Sequence, residues 1–429
     1  MENKILKVLL VIEQCNPDWA SVPLVGYRYY QEICKLADVT LVTHERNRPA
    51  LEKRKDYQNH NIVYICESGF IKAYYTWVEK ISAHGRINWP LYNALSFPIY
   101  AEFDRKVYRQ CKGAVLAGAY DLVHAFTPVI PRYPVKLVRL RDRTPLLLGP
   151  VNGGVPFPKG FQAVARQENA HLNFLRVLGR YLIPGYVQTY QNATKILAGS
   201  TYTLEMLRKL FSIPDHRIEL FYENGITRDF LAPVIRKPQE DYVKLLFVGR
   251  LVPYKCADVV IEAVGNLMSS VGDRVHLTIV GDGSEKLVLE QRVNELGIQN
   301  RVHFAGWVNQ AQTVDYYRKA DVFCFPSIRE FGGAVVLEAM ACGLPCIVAN
   351  NGGIGEYVTE ETGFKIEPLS KDYLIQEMTN HIRCLVEDED LRQRMAVNAP
   401  ERAKAFEWAE KARNMIEIYE KILFTQSHS

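Results

Sequence analysis

From residue 243 onward the chain alternates with a regularity that few architectures accommodate: "VKLLFVG", "DVVIEAVGNLM", "VHLTIVG", "EKLVLEQRVNEL", "RVHFAG", "TVDYYRKA", "DVFCFPS", "AVVLEAMAC" and "LPCIVAN" follow one another. The short runs are continuously apolar and rich in β-branched residues, as strands buried on both faces must be. The segments between them carry helical spacing. A parallel sheet whose right-handed crossover helices cover both faces satisfies that alternation. The second half is therefore expected to be a doubly wound α/β domain.

The first half repeats the pattern less cleanly, with "ILKVLLVI", "DVTLVTHE", "NIVYIC", "DLVHAF", "PLLLGP", "KILAGS" and "RIELFYE" as strands and long aromatic-rich helical stretches between residues 70 and 118. It reads as a second α/β domain with larger insertions, over 1–232. The polar, proline-containing segment "RDFLAPVIRKPQEDY" is the linker candidate, and 233–405 forms the other domain. Beyond it lies an amphipathic helix over 406–425, within "FEWAEKARNMIEIYEKIL".

Composition narrows the setting. The first apolar run is broken by Glu13 after eight residues, too short for a bilayer span and without a signal-peptide cleavage pattern, so it reads as an opening buried strand. Nine cysteines sit mostly in apolar segments without zinc-site spacing, which points to reduced core thiols and a cytoplasmic protein. Cys342 and Cys346 have a glycine and a proline between them and no histidine pair nearby, and read as core.

The net charge of +4 divides unevenly: residues 1–232 hold 30 Lys+Arg against 20 Asp+Glu, and the remainder 22 against 28. A basic half favours anionic partners, either a phospholipid surface at the inner membrane face or a phosphate-bearing acceptor; a solvated surface is the plainer alternative. The aromatic and basic segment "FIKAYYTWVEKISAHGRINWPLY" also suits peripheral contact with anionic lipid, although a buried aromatic helix has the same composition. No nucleic-acid partner is expected.

In an open α/β sheet, ligands sit at the carboxyl ends of the strands, so the chemistry belongs in the loops that follow them. "GRLVPYK" carries Gly249, Arg250 and Lys255; "GDGSE" carries Asp282 and Gly283; "REFGGA" carries Glu330, Phe331, Gly332 and Gly333 and opens a helix. Glycines at a helix start let an anion approach the backbone N–H groups, and Arg250 and Lys255 supply cations for it. Glu338 lies six residues beyond Gly332, a rise of about 9 Å along a helix. Glu330 and Glu338 can thus stand at the two ends of a phosphorylated ligand, each accepting from a diol, and a nucleotide-sugar fits that description. Glu338 also interrupts an apolar helix face, where an unpaired charge would cost several kcal/mol.

"FVGRLVPYKCADVVIEA", "IVGDGSE", "FAGWV" and "PSIREFGGAVVLEAMACGLPCIVANNGGIGEYV" resemble, in order and spacing, the carboxyl-terminal domain of retaining glycosyltransferases of the GT-B fold, family 4, the group 1 glycosyl transferases. The resemblance is sharp over about residues 243–356. It implies two Rossmann-like domains facing across a cleft, with the last helix crossing back to the first domain. It also implies that Glu330 contacts the donor sugar, Glu338 holds the ribose, Arg250 and Lys255 neutralise the departing diphosphate, and the amides of Phe331, Gly332 and Gly333 face the donor.

In the first half, "DLVHAFTP" is similar to the family's strand that ends in the site. Members commonly carry histidine at the positions of both His124 and Phe126, so Phe126 is a departure, and His124 either touches the donor or packs. The glycine pair expected after the first strand is missing, since "NPDWASVPLVG" has only Gly26. Asn152, Gly153 and Gly154 in "GPVNGGVPFP" face donor or acceptor, or form a plain tight loop.

The expectation is a transferase moving a sugar from a nucleotide-diphosphate sugar to a hydroxyl acceptor: a glycan, as in polysaccharide biosynthesis, a lipid-linked glycan, or a small metabolite. No cofactor or metal is expected, the D-x-D within "EDED" at 387–390 reading as a solvated helix cap. A GT-B sugar-nucleotide epimerase or phosphorylase, and a non-catalytic nucleotide-sugar-binding partner, are the alternatives. A nicotinamide dehydrogenase is disfavoured because neither half opens with G-x-G-x-x-G after its first strand.

Overall fold

The computed structural model describes residues 5–54, 60–82, 92, 95–168, 170, 174–231, 241–271 and 274–427. Most of the linker candidate, residues 232–240, and positions 83–91 of the aromatic segment lie outside the described residues. Two compact units emerge. The first comprises 1–154, 168–223 and 408–429, the second 155–167 and 224–407.

The first unit is built on seven parallel strands, β1 (Lys7–Val11), β2 (Asp38–His44), β3 (Asn61–Ile65), β4 (Leu122–Ala125), β5 (Leu146–Val151), β6 (Lys195–Ala198) and β7 (Ile218–Leu220), in the order β3-β2-β1-β4-β5-β6-β7. The continuous apolar runs are needed because both faces are covered. Val8 and Leu10 pack under the helices Val22–Ile33 and Trp408–Ser427, and Leu9 and Val11 under Phe97–Leu116, Tyr186–Asn192 and Thr201–Phe211. The carboxyl-terminal helix therefore belongs to the first unit.

The second unit holds six parallel strands, β8 (Val243–Val248), β9 (Val275–Val280), β10 (Val302–Gly306), β11 (Val322–Phe325), β12 (Cys346–Ala349) and β13 (Gly363–Ile366), in the order β10-β9-β8-β11-β12-β13. β13, with sequence "GFKI", is a strand that the apolar-run criterion passes over because Lys365 is exposed. The strand order reverses between β1 and β4 and between β8 and β11, which opens a crevice at the carboxyl ends of each sheet.

The unit boundary corrects the expected one. It falls between Glu223 and Asn224 rather than after residue 232, and Val155–Gln167 joins the second unit. Side chains hold that segment there: Arg329 Nε donates to the Val155 carbonyl at 3.2 Å and Asn351 Nδ2 to the Pro156 carbonyl at 3.3 Å. On these boundaries the first unit carries 30 Lys+Arg against 22 Asp+Glu and the second 22 against 26, so the charge asymmetry persists. All nine cysteines are free and six are buried. Asp388 of "EDED" caps the helix Glu389–Lys404, its Oδ1 accepting from the Leu391 N–H at 2.8 Å.

Candidate functional site

Where the strand order reverses in the second unit, the loop after β8 and the loop after β11 bring Lys255 and Glu330 into an ion pair, Lys255 Nζ donating to Glu330 Oε2. Lys255 is buried, with its ammonium 4.9 Å from the Phe325 ring centroid and 5.6 Å from that of Tyr254. This arrangement fixes a long flexible side chain whose ammonium carries three N–H donors, one of which Glu330 takes. Arg250 is exposed on the same loop and donates from Nη2 to the Tyr254 hydroxyl at 2.5 Å, so Tyr254 lies beside both cations. Gly249 closes β8, its N–H bonded to the Val280 carbonyl at 3.0 Å. Asp282 and Gly283 are exposed in the loop after β9, where the Gly283 N–H turns back onto Asp282 Oδ1 at 2.7 Å.

Glu338 stands in the helix Ala334–Ala341 among the buried residues Val336, Leu337, Ala339 and Met340. The expected cost of an unpaired charge there does not arise. Its Oε1 accepts from Gln310 Nε2 and its Oε2 from the Tyr317 hydroxyl, each at 2.9 Å. Burial pushes its pKa above the ordinary carboxylate value, and these two hydrogen bonds work against that rise. Each carboxylate oxygen has a second acceptor position, so a diol can be accepted without displacing either partner.

The loop after β11 is clamped by the loop after β12. Glu330 forms an isolated parallel bridge with Gly352, and the Gly353 N–H donates to the Phe331 carbonyl at 3.2 Å. The fit leaves no room for side chains. At Gly352, φ is +84° and a Cβ would lie 2.0 Å from the Glu330 carbonyl oxygen; at Gly333, which caps the Glu338 helix at φ +51°, a Cβ would lie 2.2 Å from Ile354 Cγ2. Gly332 is buried beside it. Arg329, next to Glu330, lies over the rings of Phe157 and Phe331 at 4.8 and 5.4 Å.

Sequence reasoning assigned no role to Tyr254, Gln310, Tyr317, Gly352 or Arg329. Only the "NNGG" run at 350–353, a glycine pair at a strand's carboxyl end, carried a usable signal.

The candidates in the first unit are placed differently. His124 is fully buried, and both ring nitrogens are taken: Nε2 lies 2.6 Å from the Gly149 carbonyl and Nδ1 2.7 Å from the Tyr419 hydroxyl. A carbonyl only accepts, so Nε2 carries the proton and Nδ1 accepts from Tyr419. Burial holds the pKa down at about 4, against the pull of the Gly149 carbonyl. The expected catalytic role for His124 is thereby corrected to that of a neutral core residue. Phe126 is equally buried, its ring 4.9 Å from that of Tyr29.

Asn152 is buried, with Oδ1 accepting from Ser200 and Thr203 hydroxyls at 3.0 Å and Nδ2 donating to the Gly199 carbonyl at 3.4 Å. Gly153 bonds through both its N–H and its carbonyl to Thr203 Oγ1, and a Cβ on Gly154 would meet Met206. This stretch packs onto the start of the helix Thr201–Phe211.

Two doubly wound parallel sheets, with a cation-bearing loop after one strand and an acid-bearing loop after its neighbour, define a protein of the GT-B class. Consistent with this, the structure of Anabaena HepE in complex with UDP aligns with a TM-score of 0.62, at 17% identity, over 97% of this chain and 100% of that one. Residues 231–402 match the family described as Glycosyl transferases group 1. That match spans most of the second unit.

D-inositol 3-phosphate glycosyltransferase of Corynebacterium glutamicum is 33% identical over 40% of this chain and 42% of its own length. The protein of the same name from Nocardia farcinica is 28% identical over 76% of this chain and 71% of its own length. The match to the Corynebacterium protein thus spans less than half of that relative.

Proposed function

We propose that the protein is a retaining, metal-independent glycosyltransferase that moves a sugar from a nucleotide-diphosphate sugar to a hydroxyl acceptor. The observation that carries the reading is the part-buried Lys255–Glu330 pair at the point where the strand order reverses, with Glu338 held on the helix that follows. Lys255 and Arg250 neutralise the diphosphate, Glu330 orients the donor sugar, and Glu338 accepts the ribose hydroxyls. In the reaction the bond from the anomeric carbon to the diphosphate breaks and a bond to the acceptor oxygen forms on the same face. The acceptor's proton passes to the departing diphosphate, so no protein base is required. The engagement of His124 on both ring nitrogens supports this route.

The test is a thermal-shift screen of UDP-, GDP- and ADP-sugars, beginning with UDP because HepE binds it. A donor at a hundred times its dissociation constant should stabilise the fold by about 2.7 kcal/mol. Release of nucleoside diphosphate should then require an acceptor, and a phosphorylated cyclitol is the first to try, given the names of the Corynebacterium and Nocardia relatives. Anomeric configuration read by NMR distinguishes retention from inversion. Absence of binding by all three donor classes would defeat the proposal, and binding without any turnover would favour the non-catalytic alternative.

A peripheral membrane contact on the first unit is the companion proposal. In the helix Gly69–Ser82, Phe70, Trp77 and Ile81 are exposed, Phe70 at 76%, with the half-buried Tyr74 stacked between Phe70 and Trp77, while Ile71 and Val78 are buried. Tyr181 and Leu182 of the helix Phe174–Leu182 are exposed as well, on the unit with the positive charge. Among the described residues no helix is long and apolar enough to cross a membrane. Co-sedimentation with vesicles should depend on anionic lipid and weaken with salt and with Phe70→Ser; indifference to all three would dismiss the contact.

A further inference from the structure

The turn that carries Lys255 also carries a tyrosine that the proposed chemistry leaves unused. Val252 is extended, as the residue before a proline is driven to be, and Pro253 opens a single 3-10 turn over Pro253–Lys255. The Lys255 N–H returns to the Val252 carbonyl at 3.0 Å, the Cys256 N–H to that of Pro253 at 3.2 Å, and Cys256 ends the turn at φ +53°. Tyr254 is thereby held on its own loop. It is held to the loop after β11 as well: its carbonyl accepts from the Ile328 N–H at 3.0 Å and from the Ser327 hydroxyl at 3.4 Å, both residues being fully buried. That hydroxyl also lies 3.4 Å from Glu330 Oε2, so the backbone of Tyr254 is fixed to the segment that carries the acid.

The side chain is half-buried and reaches the two cations in different ways. Its ring lies 5.6 Å from the Lys255 ammonium, within cation–π range. Its hydroxyl accepts from Arg250 Nη2 at 2.5 Å, and among the described residues it is the one hydrogen-bond partner of that guanidinium. An exposed arginine without such an anchor samples many rotamers, and a ligand then has to remove that freedom. With one N–H of the fork taken, the others are left for an anion. Resting on the nucleotide-sugar reading above, we propose that Tyr254 is a positioning residue of the diphosphate site, its hydroxyl holding the Arg250 fork in the orientation in which the remaining donors meet a phosphate. A phenol suits this task better than a carboxylate, which would hold the same guanidinium but cancel its charge and repel the phosphates. Acting through Arg250, Tyr254 should matter only while Arg250 is there, a dependence that a packing role does not have.

Titration calorimetry with UDP, GDP and ADP on the wild type, Tyr254→Phe, Arg250→Ala and the double variant tests this. Tyr254→Phe keeps the ring beside Lys255 and deletes only the hydroxyl, so the urea midpoint should stay in place. For whichever nucleoside diphosphate the wild type binds, affinity should fall by about threefold to tenfold, the worth of one net hydrogen bond, and by no more than in Arg250→Ala. In the Arg250→Ala background the same change should cost nothing further, because the group it acts through is gone. A loss by the same factor in both backgrounds makes Tyr254 a packing residue and overturns the proposal, as does unchanged affinity in Tyr254→Phe. A wild type that binds none of the three overturns the donor reading itself, a different result from either.

Discussion

Lys255 is buried against Phe325 and paired with Glu330, so the position of its ammonium is set by the protein. Preorganised charge of this kind acts most strongly on charge that develops during reaction. Lys255→Ala should lower turnover by about two to three decades while donor affinity weakens much less; losing both by one factor would make the lysine a binding group only. Glu338→Gln separates binding from folding in another way. The amide keeps the shape but replaces an ionic acceptor, and hydrogen bonds to charged groups are worth about 1.5–3 kcal/mol, so donor affinity should fall by one to two decades. Because burial disfavours the ionised carboxylate, the unliganded variant should be as stable in urea as the wild type, or more so. Both residues were legible because a charge inside an apolar run needs a reason. Gln310 and Tyr317 were not, since only the fold brings positions 28 and 21 residues away to one carboxylate.

At the scale of elements, the two loops after β11 and β12 act as one. Gly352 lets them touch, and Gly352→Ala would combine a positive φ with a Cβ 2.0 Å from the Glu330 carbonyl. Strain of this kind costs about 1–3 kcal/mol, and relief would move Glu330. A lower urea midpoint together with a turnover loss beyond what the unfolded fraction explains is expected; an unmoved midpoint with full activity would show that the clamp is dispensable. The element pattern itself was readable, because strands covered on both faces must be continuously apolar. The short β13 was not, since an exposed lysine interrupts it.

Across the first unit, the hydrogen bonds from Tyr419 to His124 and from His124 to Gly149 tie the helix Trp408–Ser427 to the sheet. That relay gives global stability a pH signature. His124 titrates at about 4 in the fold against an ordinary 6.5, so its contribution is full above 6.5 and is lost as pH falls toward 4, when the unfolded chain takes a proton that the fold refuses. The loss should approach about 3 kcal/mol over that interval. His124→Gln, which can keep one donor and one acceptor without titrating, should flatten urea-unfolding stability across the same interval while turnover per folded molecule survives. A fall in turnover beyond about tenfold would return a catalytic role to this strand.

By itself the sequence determined the doubly wound class of both halves and marked out the loops at the strand ends with their acids and cations as candidates. Periodicity and misplaced charge are local signals, written within a few residues of their cause. Only the tertiary structure decided that Val155–Gln167 packs with the second unit and that His124, 295 residues from Tyr419, is a core residue. It alone decided too that Glu330 and Lys255, 75 residues apart, meet. Each of these depends on which strand lies beside which, and strand order is settled by packing the whole sheet at once, not by any stretch of chain.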